Sequence, residues 1–110
     1  RDQFDASIIF SDILLIPWAM DRNVRFIKDI GPKVDILNSL KDIEVFANRD
    51  LSNKYKAVGE AVKLARQNLP TETALIGFSG APWTLMTYLF EGGSSRNFTN
   101  TKSICTYCCP

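Results

Sequence analysis

Histidine is absent from the 110 residues, and the three cysteines, Cys105, Cys108 and Cys109, all fall within the last six positions. Cys105-x-x-Cys108 has metal-ligand spacing, but a structural zinc site needs about four ligands. Three cysteines without histidine do not supply them, and adjacent Cys108 and Cys109 converge poorly on one ion, so the sequence predicts no metal. A charge of one sign is also lacking: 13 basic and 12 acidic residues leave a net charge of +1. Nucleic acid is therefore not an expected partner, because phosphate binding needs a basic face. No apolar run reaches the roughly 18 residues of a membrane span, and the longest apolar stretch, from Ile8 to Met20, is interrupted by Asp12 and Pro17. Internal repeats, low-complexity tracts and linkers are missing as well. The default these absences leave is a soluble, cytoplasmic protein with no signal peptide.

What is present concentrates in two segments. Gly77-Phe78-Ser79-Gly80-Ala81-Pro82-Trp83-Thr84-Leu85-Met86-Thr87-Tyr88-Leu89-Phe90-Glu91-Gly92-Gly93-Ser94-Ser95 crowds glycines, a proline, large aromatics and a phenol together. Each glycine there carries a backbone-entropy penalty. Either a strand end approaches a ligand closely, or a strand turns tightly into a helix. The second segment, Ile8-Ile9-Phe10-Ser11-Asp12-Ile13-Leu14-Leu15-Ile16-Pro17, is apolar except for Ser11 and Asp12. A carboxylate in such a run is exposed where a strand ends, or buried and paired.

The pattern along the chain predicts a buried strand over Ala6 to Ser11, with Asp12 at its carboxyl end, then a short helix or turn over Ile13 to Ala19. Asn23 to Ile30 alternates as a short strand outside the main sheet, ended by Gly31-Pro32. Ile36 to Phe46 carries no clear period and is expected to be irregular, with one extended stretch near Ile43 to Phe46. A helix capped by Asp50 or Ser52 runs to Ala65 or Asn68, with Leu51, Tyr55, Val58, Val62 and Leu69 near a 3.6-residue period; Pro70 follows it as a stop. Ala74 to Ser79 is a second buried strand. Pro82 and Thr84 open a helix that ends at Gly92-Gly93, and a further helix begins near Asn97.

Together, the Ile-Phe-Ser-Asp-Ile-Leu segment and the Gly-Phe-x-Gly-Ala-Pro-Trp-Thr-Leu-x-x-Tyr-x-x-Glu-Gly-Gly-Ser-Ser segment resemble the uroporphyrinogen decarboxylase family, from about Phe4 to Lys102. The resemblance implies an α/β fold, a (β/α)8 TIM barrel. Such barrels run to about 250 residues, so residues 1–110 are expected to be an incomplete barrel domain. They would carry two barrel strands with their helices and an inserted irregular segment. The family's arginine-bearing start and its later serine- and histidine-bearing strands have no counterpart here. Position 21 is Asp where the family commonly has Gly, which affects a turn.

The implied reaction removes carbon dioxide from the four acetate arms of uroporphyrinogen to give coproporphyrinogen in haem biosynthesis, without metal or organic cofactor. The substrate is a small molecule, and the full-length parent is expected to be a homodimer. The resemblance assigns Asp12 to the pyrrole N–H groups and Tyr88 to the reacting acetate. Phe78 and Ile8 would lie on the macrocycle's apolar face, and Gly80 would leave room for it. Read as residues alone, Asp12 also suits a helix cap, Tyr88 a core aromatic, and Phe78, Ile8 and Gly80 ordinary barrel filling. Glu91-Gly92-Gly93-Ser94-Ser95-Arg96 suits either an anion loop or a helix C-cap and turn. Nothing in the spacing of Arg22, Arg25 and Arg96 singles them out as carboxylate contacts. Two other readings stand beside the decarboxylase: a related zinc and corrinoid methyltransferase, and a fragment without activity.

Overall fold

The computed structural model describes residues 4–47 and 49–108. Strand β1 (Ala6–Ile8) is followed by helix α1 (Leu15–Ala19), strands β2 (Val24–Ile27) and β3 (Gly31–Val34), and helices α2 (Leu40–Ala47) and α3 (Ser52–Asn68). Strand β4 (Ala74–Ile76) and helices α4 (Pro82–Glu91) and α5 (Thr99–Cys108) complete a mixed α/β fragment. β1 and β4 pair in parallel, with Ala6 opposite Ala74 and Ile8 opposite Ile76. Parallel neighbours require a long crossover, which everything from α1 to α3 supplies. β2 and β3 form a separate antiparallel hairpin, Val24 opposite Val34 and Ile27 opposite Gly31.

Both parallel strands are shorter than expected, ending at Ile8 and Ile76 and not at Ser11 and Ser79, and two further elements come out differently. Gly31-Pro32 does not end the outer strand but opens β3. Gly31 takes φ 96°, a left-handed conformation glycine enters without steric penalty. Pro32 sits opposite Phe26 in a ribbon that is all edge, where a missing N–H is tolerated. The second difference is α2, a helix where an irregular segment with an extended stretch is expected. Its start carries one half of a capping box: Asp42 Oδ2 accepts from the backbone N–H groups of Ser39 and Asn38, both at 3.0 Å, which satisfies donors left open at the start of a helix.

The other helices follow their sequence signals. α3 ends before Pro70 as expected, but its N-cap is Leu51, without a side-chain cap bond, and not Asp50 or Ser52; Asp50 Oδ1 accepts from Ser52 N at 2.9 Å one residue further out. α4 has Pro82 at its first turn and Gly92 in the left-handed region, φ 73°. A proline pre-set for helix at the start and a glycine just past the end is the expected asymmetry. Glu91 Oε1 accepts from Thr101 N at 2.9 Å and from Thr101 Oγ1 at 3.1 Å, fixing the first turn of α5.

The core lies between α1, the hairpin and α4, not around the parallel pair. Leu14, Met20, Val34, Leu37, Leu89 and Phe90 are buried and contiguous. The hairpin is fastened to α4 through backbone: Val34 N donates to Gly92 O at 3.0 Å and Leu37 N to Leu89 O at 2.8 Å. These bonds satisfy carbonyls that a helix end otherwise leaves open. By contrast the parallel strands are largely exposed, Ile8 at 67% and Ile76 at 47%, where burial on both faces is expected. Among the described residues this sheet has two strands, so both outer edges and much of both faces meet solvent.

Helix α3 buries no residue. It is held at its ends: Lys54 Nζ donates to Asp21 Oδ1 at 2.9 Å, and Arg66 donates to the carbonyls of Thr73 at 2.7 Å, Leu69 at 3.1 Å and Pro70. The radius of gyration, 17.1 Å, exceeds the ~13 Å of a compact domain near this length. Among the described residues no helix is long and apolar enough to cross a membrane.

Candidate functional site

The parallel register brings the segments after β1 and β4 side by side. Ile9 N donates to Ile76 O at 3.0 Å, and just beyond, the rings of Phe10 and Phe78 stack with centroids 5.4 Å apart. These rings, with Asp12, Gly77 and Gly80, line an open groove of about 730 Å³ at the carboxyl ends of the strands. The opposite wall is α3, through Tyr55, Val58, Ala61 and Val62. Three of the five residues of the apolar period read there, Tyr55, Val58 and Val62, thus face a cavity and not a core. Burial raises the Tyr55 phenol above its ordinary value, because the phenolate loses hydration there.

Asp12 stands at the junction of this groove with a second hollow of about 230 Å³, which Leu14, Leu15, Trp18, Val24 and Phe26 complete. Its Oδ1 accepts from Leu14 N at 2.7 Å, an Asx turn that steers the chain into α1. The helix that follows has Leu14 at its N-cap and no side-chain cap bond, so Asp12 shapes the turn before it. One oxygen shapes the turn, while the side chain remains exposed on the groove edge. Oδ2 has no hydrogen-bond partner among the described residues.

Gly80 lines the groove, but its lack of a side chain answers first to packing. A Cβ there would lie 2.9 Å from Leu85 Cδ2 and 3.1 Å from the Ile13 carbonyl oxygen. The glycine lets α4 and the turn before α1 close on the strand end. Phe78, 46% exposed, presents its ring to the groove with Phe10, which the sequence reading did not single out. Its signal was the shared register of the two strands. Ile8 points elsewhere, and its neighbour Ile9 lines the groove.

Tyr88 is partly buried against the core. It lines a different hollow, of about 250 Å³, with Trp83, Thr84, Thr87, Ser94 and Ser95. Asp12 and Tyr88 thus border separate cavities. The arginines also divide: Arg25 donates to Asp35 at 2.9 Å, Arg22 Nε donates to the Met20 carbonyl, and Arg96 is exposed. Position 21 takes φ 57°, a left-handed conformation that aspartate tolerates better than most residues. Here Asp21 also receives Lys54 and Arg49. At the C-terminal end Cys105 is free and half-buried, and Cys109 lies outside the described residues. No group of three metal-ligating side chains occurs among the described residues.

The chain is thus an α/β protein with an apolar groove, a carboxylate on its edge, at the carboxyl ends of parallel strands, where α/β folds place their ligand sites. Comparison with known sequences makes this specific. Residues 1–107 match the family described as Uroporphyrinogen decarboxylase (URO-D), and the chain belongs to that family. It is 47% identical over 103 residues to the uroporphyrinogen decarboxylase of Rhodospirillum rubrum, covering 94% of this chain and 30% of the relative. The enzymes of that name from Campylobacter jejuni and Alkalilimnicola ehrlichii are 44% and 45% identical, over 91% and 94% of this chain. The chain spans about 30% of the length of these curated relatives.

Proposed function

We propose that this chain forms part of a uroporphyrinogen decarboxylase, with β1 and β4 as neighbouring strands of a (β/α)8 barrel and residues 1–110 as an incomplete barrel domain. The supporting observation is Asp12, whose unpartnered oxygen stands beside an apolar groove at the strand ends. Barrel enzymes place their chemistry at that end. The substrate is uroporphyrinogen, and each turn of the reaction converts one acetate arm to a methyl.

Losing carbon dioxide leaves an electron pair on carbon, which needs a sink. Protonation of the pyrrole makes the ring cationic, and the pair from the breaking C–C bond flows into it. Protonation of the resulting exocyclic carbon gives the methyl, and departure of the proton first added to the ring restores the neutral pyrrole, so that one proton is consumed for each carbon dioxide released. A fixed carboxylate accepting from pyrrole N–H groups stabilises the cation in place, without reorganisation as charge develops. Asp12 suits this because its own turn already holds it. Phe10 and Phe78 supply the apolar wall for the macrocycle, with Ile9 and Gly80 beside them, while Ile8 stays outside the groove. Tyr88 orients the reacting acetate once the rest of the barrel brings its hollow and the groove to one substrate. The parent acts as a cytoplasmic homodimer.

Replacing the matched third of the Rhodospirillum rubrum relative by residues 1–107 tests this reading. The chimaera is expected to form coproporphyrinogen from uroporphyrinogen, and its Asp12→Ala variant to lose that activity. The 110-residue chain alone is expected to give none. A folded chimaera that forms no product would refute the proposal.

A further inference from the structure

Lys33 has no ion-pair partner among the described residues. Most lysines among the described residues share that state, Lys54 excepted; what marks Lys33 is its position. In the hairpin it sits directly opposite Arg25, and like charges facing across a strand pair repel. Arg25 is neutralised by Asp35; Lys33 is not. Its side chain lies across the Gly92-Gly93 turn instead. A Cβ on Gly93 would fall 2.8 Å from both Lys33 Cδ and Lys33 Nζ. Gly93 is buried and lines the hollow that holds Tyr88.

That hollow is rich in hydroxyl groups. Thr87 Oγ1 is committed as a donor to Thr84 O at 2.8 Å. Ser95 Oγ accepts from Phe98 N at 3.2 Å, so its hydrogen remains available. Thr84, Tyr88 and Ser94 have no side-chain partner among the described residues. Residues with four free hydroxyl donors thus border a space of about 250 Å³ whose lining includes no carboxylate, and the Lys33 ammonium, itself outside that lining, lies beside its Gly93. Donors and positive charge without acceptors of their own select an oxyanion.

We propose that Lys33 is the counter-ion of a carboxylate subsite formed by Gly93, Thr84, Tyr88, Ser94 and Ser95. The ligand class is an alkyl carboxylate. Its identification as an acidic arm of the tetrapyrrole rests on the function proposed above. Lys33 comes from the hairpin and the hydroxyls from α4 and the turn after it, so docking of the hairpin assembles the subsite.

The test is a nuclear magnetic resonance titration of the 110-residue chain with sodium propionate at fixed ionic strength, with propionamide as the neutral control. Saturable shifts are expected at Gly93, Ser94, Ser95 and the Lys33 side chain with propionate, and none with propionamide. Lys33→Gln should weaken the site by about tenfold or more, as expected for loss of a charged hydrogen-bond partner, while Lys33→Arg stays within about threefold. Gly93→Ala, which displaces the lysine without removing it, should weaken binding as Lys33→Gln does. Comparing Lys33 with the other lysines of the unmodified chain gives a readout independent of any variant's folding. Equal shifts at all lysines, no saturation, or an unchanged titration in Lys33→Gln would overturn the subsite. Absent propionate binding alongside an active chimaera sinks this inference alone. A propionate site in a chimaera that makes no coproporphyrinogen sinks the enzyme reading and leaves the subsite as a carboxylate site of another kind.

Discussion

Phe10 and Phe78 stack with centroids 5.4 Å apart and planes inclined by 23°, two residues beyond the paired Ile8 and Ile76. The stack continues the register of the parallel strands after their ladder ends, and so keeps the two loops that border the groove in step. Phe78→Ala is expected to lower stability by about 1 kcal/mol, and a double-mutant cycle with Phe10→Ala to give a coupling of about 0.5–1.5 kcal/mol. Urea denaturation of the four proteins measures both. Additive effects would mean that the rings merely adjoin.

Asp12 has two tasks that substitution separates. Asp12→Ala removes the acceptor for Leu14 N and should destabilise by about 1 kcal/mol. Asp12→Asn keeps an acceptor and should melt close to the unmodified chain. In the chimaera both variants are expected to lose decarboxylation, because the cation needs a charge. Retained activity in Asp12→Asn would confine this residue to the turn.

Gly92 and Gly59 make a matched pair. Gly92 lies at φ 73°, and a Cβ there would stand 2.8 Å from Ile36 Cγ2 and 3.2 Å from Val34 O. Gly92→Ala is expected to destabilise by about 2 kcal/mol or more, loosening the hairpin. Gly59 lies within α3 with nothing within 4 Å of the added atom, so Gly59→Ala should stabilise by about 0.5–1 kcal/mol. Thermal melts that rank the two the other way would contradict the packing described for the turn.

The hydrogen bond from Lys54, then its charge, with Arg49 and Arg22 assisting, holds the Asp21 carboxyl below the ordinary aspartate value. A depressed folded-state pKa contributes stability above the unfolded value, and that contribution is lost as pH falls through the folded one. Carboxyl carbon shifts should therefore show Asp21 titrating below a typical exposed aspartate. Lys54→Met should move it upward, and added salt should shrink the difference. A normal Asp21 midpoint in the unmodified chain would show that the clasp between α3 and the turn after α1 does not form.

Much of the chain's organisation is written locally. Pro82 and Gly92 delimit α4 because one pre-sets a helical dihedral and the other admits a left-handed one. Asp50 and Pro70 bracket α3, and the apolar runs at Ala6 and Ala74 become the parallel strands. The signal for α2 was present but weak: Ser39-x-x-Asp42 is a four-residue capping pattern, set in a segment without clear apolar rhythm. The hairpin was hidden because Pro32 argues against a strand unless the strand is an edge, and only pairing tells which strands are edges.

The sequence by itself determined the family, the limits of α4 and the place of Asp12 after the first parallel strand, since each rests on contacts a few residues long or on a motif of fixed spacing. Only the tertiary structure decided that Tyr88 faces a hollow separate from the Asp12 groove and that Lys33 lies across Gly93. Those placements depend on how a hairpin and a helix distant in sequence close on one another, and closure is governed by shape and backbone hydrogen bonds that no local pattern encodes.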